Sequence, residues 1–120
     1  MARDLYNEAR WAAGAGAFTA SVMACRKLLM NIAVKEGAKA GLTFAEYVAY
    51  LEKGGWFSPR AKPFVEHIKK IGNDANHQID PKSQVDAEAA IEFVGSLLRH
   101  NYEMPSRVPR KPGDPEPEDI

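Results

Sequence analysis

Residues 18–36 read FTASVMACRKLLMNIAVKE, and this stretch decides the fold class. Its apolar residues recur at alternating spacings of four and three: Phe18, Val22, Cys25, Leu29 and Ile32. That spacing places them on one face of an α-helix and does not fit the two-residue alternation of a strand. The stretch therefore predicts a long amphipathic helix that packs against other helices.

Helical signals continue on both sides of this stretch. An opening helix is expected from about Arg3 to the glycine-rich segment 14–16, where glycine permits a turn. A third helix is expected to begin at Thr43, whose side chain can form a capping box with Glu46 three residues later.

Two further helices follow toward the C-terminus. The fourth begins near Pro59, or a turn later at Pro63, and runs toward Asn76. The fifth is capped by Asp80-Pro81 or by Ser83 and runs up to Tyr102. Since no segment shows sustained two-residue alternation, we predict an all-α bundle of about five helices.

Composition narrows the class of protein. The 120 residues are 45% hydrophobic and 27% charged, which excludes a mostly disordered or fibrous chain. Sixteen basic and sixteen acidic residues give zero net charge, which disfavours a domain that wraps bare nucleic acid. The absence of a long apolar run or a secretory signal leads us to expect no membrane contact and a cytoplasmic location.

The C-terminal residues 105–120 differ from the rest of the chain. They read PSRVPRKPGDPEPEDI and contain five of the eight prolines, which prevent a helix or sheet from propagating. We expect residues 1–104 to form the helical domain and residues 105–120 to form a flexible, charged tail or a linker.

The fourth helix carries a polar row opposite its apolar residues. Glu66, Lys70, Asn73 and His77 follow one another at spacings of four, three and four. Gly72 lies inside this helix at a cost of about 1 kcal/mol relative to alanine, which indicates a close helix contact or the approach of a ligand.

The run IKKIGNDANH, followed by Asp86-Ala87, resembles the bacterial domain-of-unknown-function family 4145. That family is similar to the HEPN (higher eukaryotes and prokaryotes nucleotide-binding) superfamily of helical domains. The resemblance covers most of residues 4–105 and includes YNEAR near the N-terminus, ACRKLL in the second helix and the closing YEMP. It implies an HEPN-like bundle, of a kind that often accompanies restriction-type and other defence proteins.

The resemblance also implies a catalytic pattern. HEPN ribonucleases bring an arginine, a polar residue and a histidine four residues further on from two subunits into one cleft. The polar position falls on Asn73 and the histidine on His77, but the arginine position falls on Gly72, which departs from the pattern. A cation for the developing phosphorane charge would then come from a nearby basic residue, which is Lys69, Lys70 or Arg26.

Structural roles compete with these assignments. His77 could be satisfied by a backbone carbonyl at the helix end, and Asn73 could bond across a helix pair. Arg26 shares a second stripe of its helix with Thr19, Met23 and Met30, and is either a snorkelling surface residue or an interface anchor. No metal site or cofactor is expected, because a lone cysteine and scattered histidines give no ligand set.

Three functions remain open at this point. The first is a non-catalytic interaction domain, a homodimer that serves a partner protein in a nucleic-acid-related or defence system. The second is a metal-independent ribonuclease that uses Asn73 and His77. The third is binding of a nucleotide or RNA end by Arg26, Lys69 and Lys70 without catalysis. We favour the first, because the motif lacks its arginine and the net charge is zero.

Overall fold

The computed structural model describes residues 2–77 and 81–118, and the side chains of residues 72–77 lie outside the described part. Five α-helices account for most of the chain: α1 (Ala2–Gly14), α2 (Phe18–Lys35), α3 (Phe44–Lys53), α4 (Lys62–His77) and α5 (Gln84–Leu98). The described residues contain no β-strand. The predicted all-α bundle of about five helices is confirmed.

Helix α2 is the centre of the bundle and contacts α1, α3, α4 and α5. Its predicted stripe is buried from Val22 to Ile32, while Phe18 at its start is only half-buried. The Ser21 hydroxyl, also buried, donates to the Ala9 carbonyl of α1 over 2.7 Å. This hydrogen bond joins the first two helices at a point where a hydroxyl without a partner would destabilise the fold.

Capping explains where α3 and α5 begin. Thr43 Oγ1 accepts from the Glu46 amide over 3.2 Å, and Glu46 Oε1 accepts from the Thr43 amide over 3.0 Å. These bonds lower the pKa of the Glu46 carboxyl. Ser83 and Asp86 form the same reciprocal pair at the start of α5. The predicted Thr43 box is therefore confirmed, and Ser83 is the cap of α5; the alternative, Asp80, lies outside the described residues.

The start of α4 is delayed by a turn. Ser58 caps a short 3-10 turn, Pro59–Ala61, and the α-helix itself begins at Lys62, next to Pro63. The later of the two predicted starts is thus the observed one.

The C-terminal end of the bundle differs from the predicted single helix up to Tyr102. Helix α5 ends at Leu98, a π-helical turn follows over Arg99–Glu103, and a last helical turn covers Met104–Ser106. The side-chain Nδ2 of Asn101, in the π-turn, donates to the Leu97 carbonyl over 2.9 Å and to the Trp56 carbonyl over 3.1 Å. These bonds fasten the wider turn to the loop after α3.

The residues after Ser106 return toward the C-terminal end of α2. Arg110 pairs with Glu116 over 3.1 Å, and Glu118 lies 3.8 Å from the Lys35 ammonium. A hydrogen bond with Glu36 raises the pKa of Glu118, because two carboxyl groups can form a hydrogen bond only while one of them keeps its proton. The division at residue 104 remains a prediction.

Candidate functional site

Helix α4 runs without a break through Gly72 to His77. The predicted continuous helix is therefore confirmed. Since residues four apart fall on one face of an α-helix, positions 73 and 77 follow one another on the face that carries Glu66 and Lys70. The side chains of Asn73 and His77 lie outside the described residues, so their proposed catalytic roles remain predictions.

Lys69 lies between α3 and α4 and is held by two carboxylates. Its ammonium is 3.1 Å from Glu66 Oε1 on its own helix and 3.4 Å from Glu52 Oε1 on α3, and its side chain is only 18% exposed. Burial alone would lower the pKa of Lys69, but the hydrogen bonds and charges of Glu66 and Glu52 outweigh it and the pKa is raised. The charge of Lys69 is therefore fixed and balanced within the chain.

Arg26 lies where α2 meets the start of α3 and the middle of α4. Its guanidinium carbon is 5.6 Å from the centroid of the Phe44 ring, a cation–π contact. Arg26 also lines a narrow internal gap together with Ile68 and Ile71 of α4. Its Nε is buried without a hydrogen-bond partner among the described residues. Arg26 is thus packed against apolar surface along much of its length.

The predicted basic residues do not form one described cluster. Arg26 contacts Phe44, whereas Lys69 contacts Glu52 and Glu66, and no described contact joins the two. Lys70 is exposed on the outer side of α4. On the polar face of α4, Lys70 is therefore the predicted cation that is exposed, whereas Arg26 and Lys69 already contact other side chains of the chain.

Other potentially reactive groups are inert or dispersed. Burial raises the pKa of the Cys25 thiol to about 12, which keeps it neutral at physiological pH. No group of three or more His, Cys, Asp or Glu residues in the described part of the chain is placed to hold a metal ion. Among the same residues, no helix has the length and apolar character needed to cross a membrane.

One concave surface was missed by the sequence analysis. A groove of about 620 Å³ lies between α1 and residues 92–103, and Arg3, Asn7 and Arg10 of α1 line it. These three recur at spacings of four and three, which is the helical pattern of a single face. The spacing could have indicated a polar face of α1. The opposite wall of the groove, formed by residues 92–103, depends on how α5 packs against α1 and could not be predicted from spacing.

Fold and site together define a small all-α bundle. Two of its predicted basic residues, Arg26 and Lys69, contact other side chains of the same chain. The chain belongs to the family described as Domain of unknown function (DUF4145), whose model matches residues 7–112. The predicted resemblance to this family is therefore confirmed. No curated protein and no solved structure matches the chain.

Proposed function

We propose that this chain is an HEPN-like, non-catalytic interaction domain that forms a homodimer and serves a larger nucleic-acid-related or defence system. The observation that carries the non-catalytic part of the proposal is the position of Lys69 between Glu52 and Glu66. Cleavage of a phosphodiester needs a cation that is free to meet the developing negative charge. A lysine already neutralised by two carboxylates supplies little of that stabilisation.

Arg26 supports the same conclusion. A catalytic arginine presents its planar fork of donors to phosphate oxygens. Here the guanidinium lies against the Phe44 ring, and its Nε faces buried surface without a partner among the described residues. Moving it into a cleft would cost the cation–π contact, so packing is the better explanation of this residue.

Thr19, Met23 and Met30, the partly exposed residues of the second stripe of α2, are here called the outer stripe of α2 and form the surface that we assign to the second copy of the chain. Arg26 shares their spacing but packs inward against Phe44. Met23 and Met30 remain half-buried, seven residues apart along this stripe. Thr19, at the start of the stripe, already has a hydrogen-bond partner within the chain, because its hydroxyl accepts from the Lys82 backbone amide over 2.8 Å. Zero net charge means that two copies do not repel one another overall. In the proposed dimer the twofold axis passes close to Met23, which places each Met23 near its counterpart.

Light scattering after size-exclusion chromatography tests the dimer. At tens of micromolar we expect a mass of twice 13.2 kDa for the natural chain. Met23→Glu should shift the mass to that of a single chain, because it places two like charges close together across the twofold axis. The matched control is Val85→Glu, which adds the same charge to an exposed apolar position on α5.

Two outcomes would contradict this assignment. A natural chain that stays monomeric at these concentrations removes the proposed dimer. A dimer that Val85→Glu disrupts and Met23→Glu leaves intact would place the interface away from the outer stripe of α2.

The second candidate function is the metal-independent ribonuclease, which the unbroken course of α4 through Gly72 favours. The test incubates the chain with tRNA and with single-stranded RNA in EDTA. We expect no cleavage above that of a buffer blank. The variants are His77→Ala and, as a matched control, His67→Ala at an exposed histidine of the same helix. Cleavage that His77→Ala abolishes and His67→Ala preserves would overturn the non-catalytic proposal.

A further inference from the structure

The α1–α5 groove, lined by α1 and residues 92–103, is built on a close crossing of the two helices. Gly95 leaves room for Tyr6 at this point, since a Cβ at position 95 would lie 2.8 Å from the Tyr6 hydroxyl. The Tyr6 ring therefore rests directly on the α5 backbone. The groove of about 620 Å³ lies beside this contact and is open to solvent.

Three arginines line this groove. Arg3 and Arg10 lie on α1 and are separated by seven residues, which is about 10 Å along a helix axis. Arg99 follows the end of α5 on the opposite wall. The guanidinium carbon of Arg10 lies 5.7 Å from the centroid of the Tyr6 ring, a cation–π contact that holds this side chain at the groove.

The arginines of the groove are not neutralised by its carboxylates. Glu92 and Glu103 also line the groove, yet among the described residues neither forms an ion pair within 4.0 Å with any of the three arginines. Three arginines that line one concave surface and form no ion pair with the described carboxylates there can present their donors to an external anion.

The π-helical turn shapes the second wall of the groove. It places Arg99, His100 and Glu103 along the groove while Tyr102 of the same turn is buried. His100 Nδ1 lies 2.9 Å from the Ser96 carbonyl and 3.3 Å from the Ser96 hydroxyl, so its contacts with Ser96 use Nδ1 and leave Nε2 for another contact. Departures from regular α-helix of this kind are frequent at functional sites.

We propose that the α1–α5 groove binds a ligand that carries several phosphate groups in a chain. Planar guanidinium forks match phosphate oxygens in pairs, and arginine is the residue best suited to such contacts. Arg3 and Arg10 start about 10 Å apart along the helix axis, a span that a chain of phosphates covers more readily than a single phosphate group. The inference does not depend on the proposed dimer, because the groove and the outer stripe of α2 share no residue.

Titration calorimetry at low salt tests the site with three probes: a short inorganic polyphosphate, ATP and an eight-nucleotide oligouridylate. The probe that binds most tightly identifies the source of the phosphate chain. We expect the triple variant Arg3→Ala/Arg10→Ala/Arg99→Ala to weaken its binding at least about tenfold, since phosphate contacts supply most of such an affinity. The three side chains are exposed, so the fold should persist.

Two matched variants separate a defined site from general charge attraction. Lys39→Ala/Lys53→Ala/Arg107→Ala removes three exposed positive charges that do not line the groove, and should leave the affinity within about twofold. Glu92→Gln/Glu103→Gln should strengthen binding by removing repulsion from the groove.

Two results would overturn the inference. One is no binding of any probe by the natural chain, and the other is equal weakening by the two triple variants. The Met23→Glu variant should bind the phosphate probe as the natural chain does. Failure of the dimer proposal therefore leaves this test intact.

Discussion

A Phe44→Ala variant should lose about 3–5 kcal/mol of its free energy of unfolding. Phe44 is 1% exposed at the start of α3, and its ring lines the gap between α2 and α4. Removing the ring opens a cavity and also takes away the surface on which the Arg26 guanidinium rests. Because Arg26 Nε has no hydrogen-bond partner among the described residues, nothing described there replaces the lost contact. Urea denaturation followed by circular dichroism measures the change.

The control for this variant is Phe44→Leu, which keeps a large apolar side chain and removes the aromatic face with little loss of volume. It should cost less than about 1.5 kcal/mol beyond the lost cation–π contact, itself about 0.5–2 kcal/mol. Combining Phe44→Leu with Arg26→Met in a double-mutant cycle isolates that contact. If Phe44→Ala unfolds within about 1 kcal/mol of the natural chain, the ring is not part of the core that the structure describes.

The features that could be predicted from the sequence are those that depend on near neighbours in the chain. The capping box of Thr43 and Glu46 involves residues three apart, so the sequence alone contains both partners. The buried stripe of α2 depends only on helical periodicity, and it is buried from Val22 to Ile32 as expected. Phe18 is less buried than predicted because it is the first residue of its helix.

The features that could not be predicted depend on how the helices are arranged in space. Lys69 meets Glu52 across 17 positions of sequence, and this contact changes the interpretation of a predicted phosphate-binding lysine. The π-turn after Leu98 is accompanied by bonds between Asn101 and the Trp56 carbonyl, 45 positions away. Predicting the arginine groove requires knowledge that Tyr6 of α1 packs on Gly95 of α5, which periodicity does not provide. Local sequence patterns therefore predict the helices well. They predict a functional site only where all of its residues lie on one helix.

Cys25 should react with iodoacetamide at least about a thousandfold more slowly in the folded chain than in the unfolded chain at pH 8. Its pKa rises from 9.0 to about 12 because burial disfavours the thiolate, and thiolate is the reacting form. Three pKa units correspond to about a thousandfold less thiolate. The side chain is also only 2% exposed, so the reagent gains access mainly when the chain opens. Mass spectrometry of quenched time points, with and without urea, measures both rates.

The same shift sets the direction of an alkaline effect on stability. Between pH 9 and pH 12 the unfolded thiol loses its proton while the folded thiol keeps it, so stability falls as pH rises, by at most about 1.4 kcal/mol per unit. Below pH 9 the thiol of Cys25 is protonated in both states, so its burial causes no loss of stability there. Burial raises the pKa of Tyr102 as well and adds a loss of the same sign at higher pH, so Cys25→Ala should reduce the slope without abolishing it. Rapid, complete labelling of the chain at pH 8 with its helical spectrum intact would contradict the buried position of Cys25 on α2.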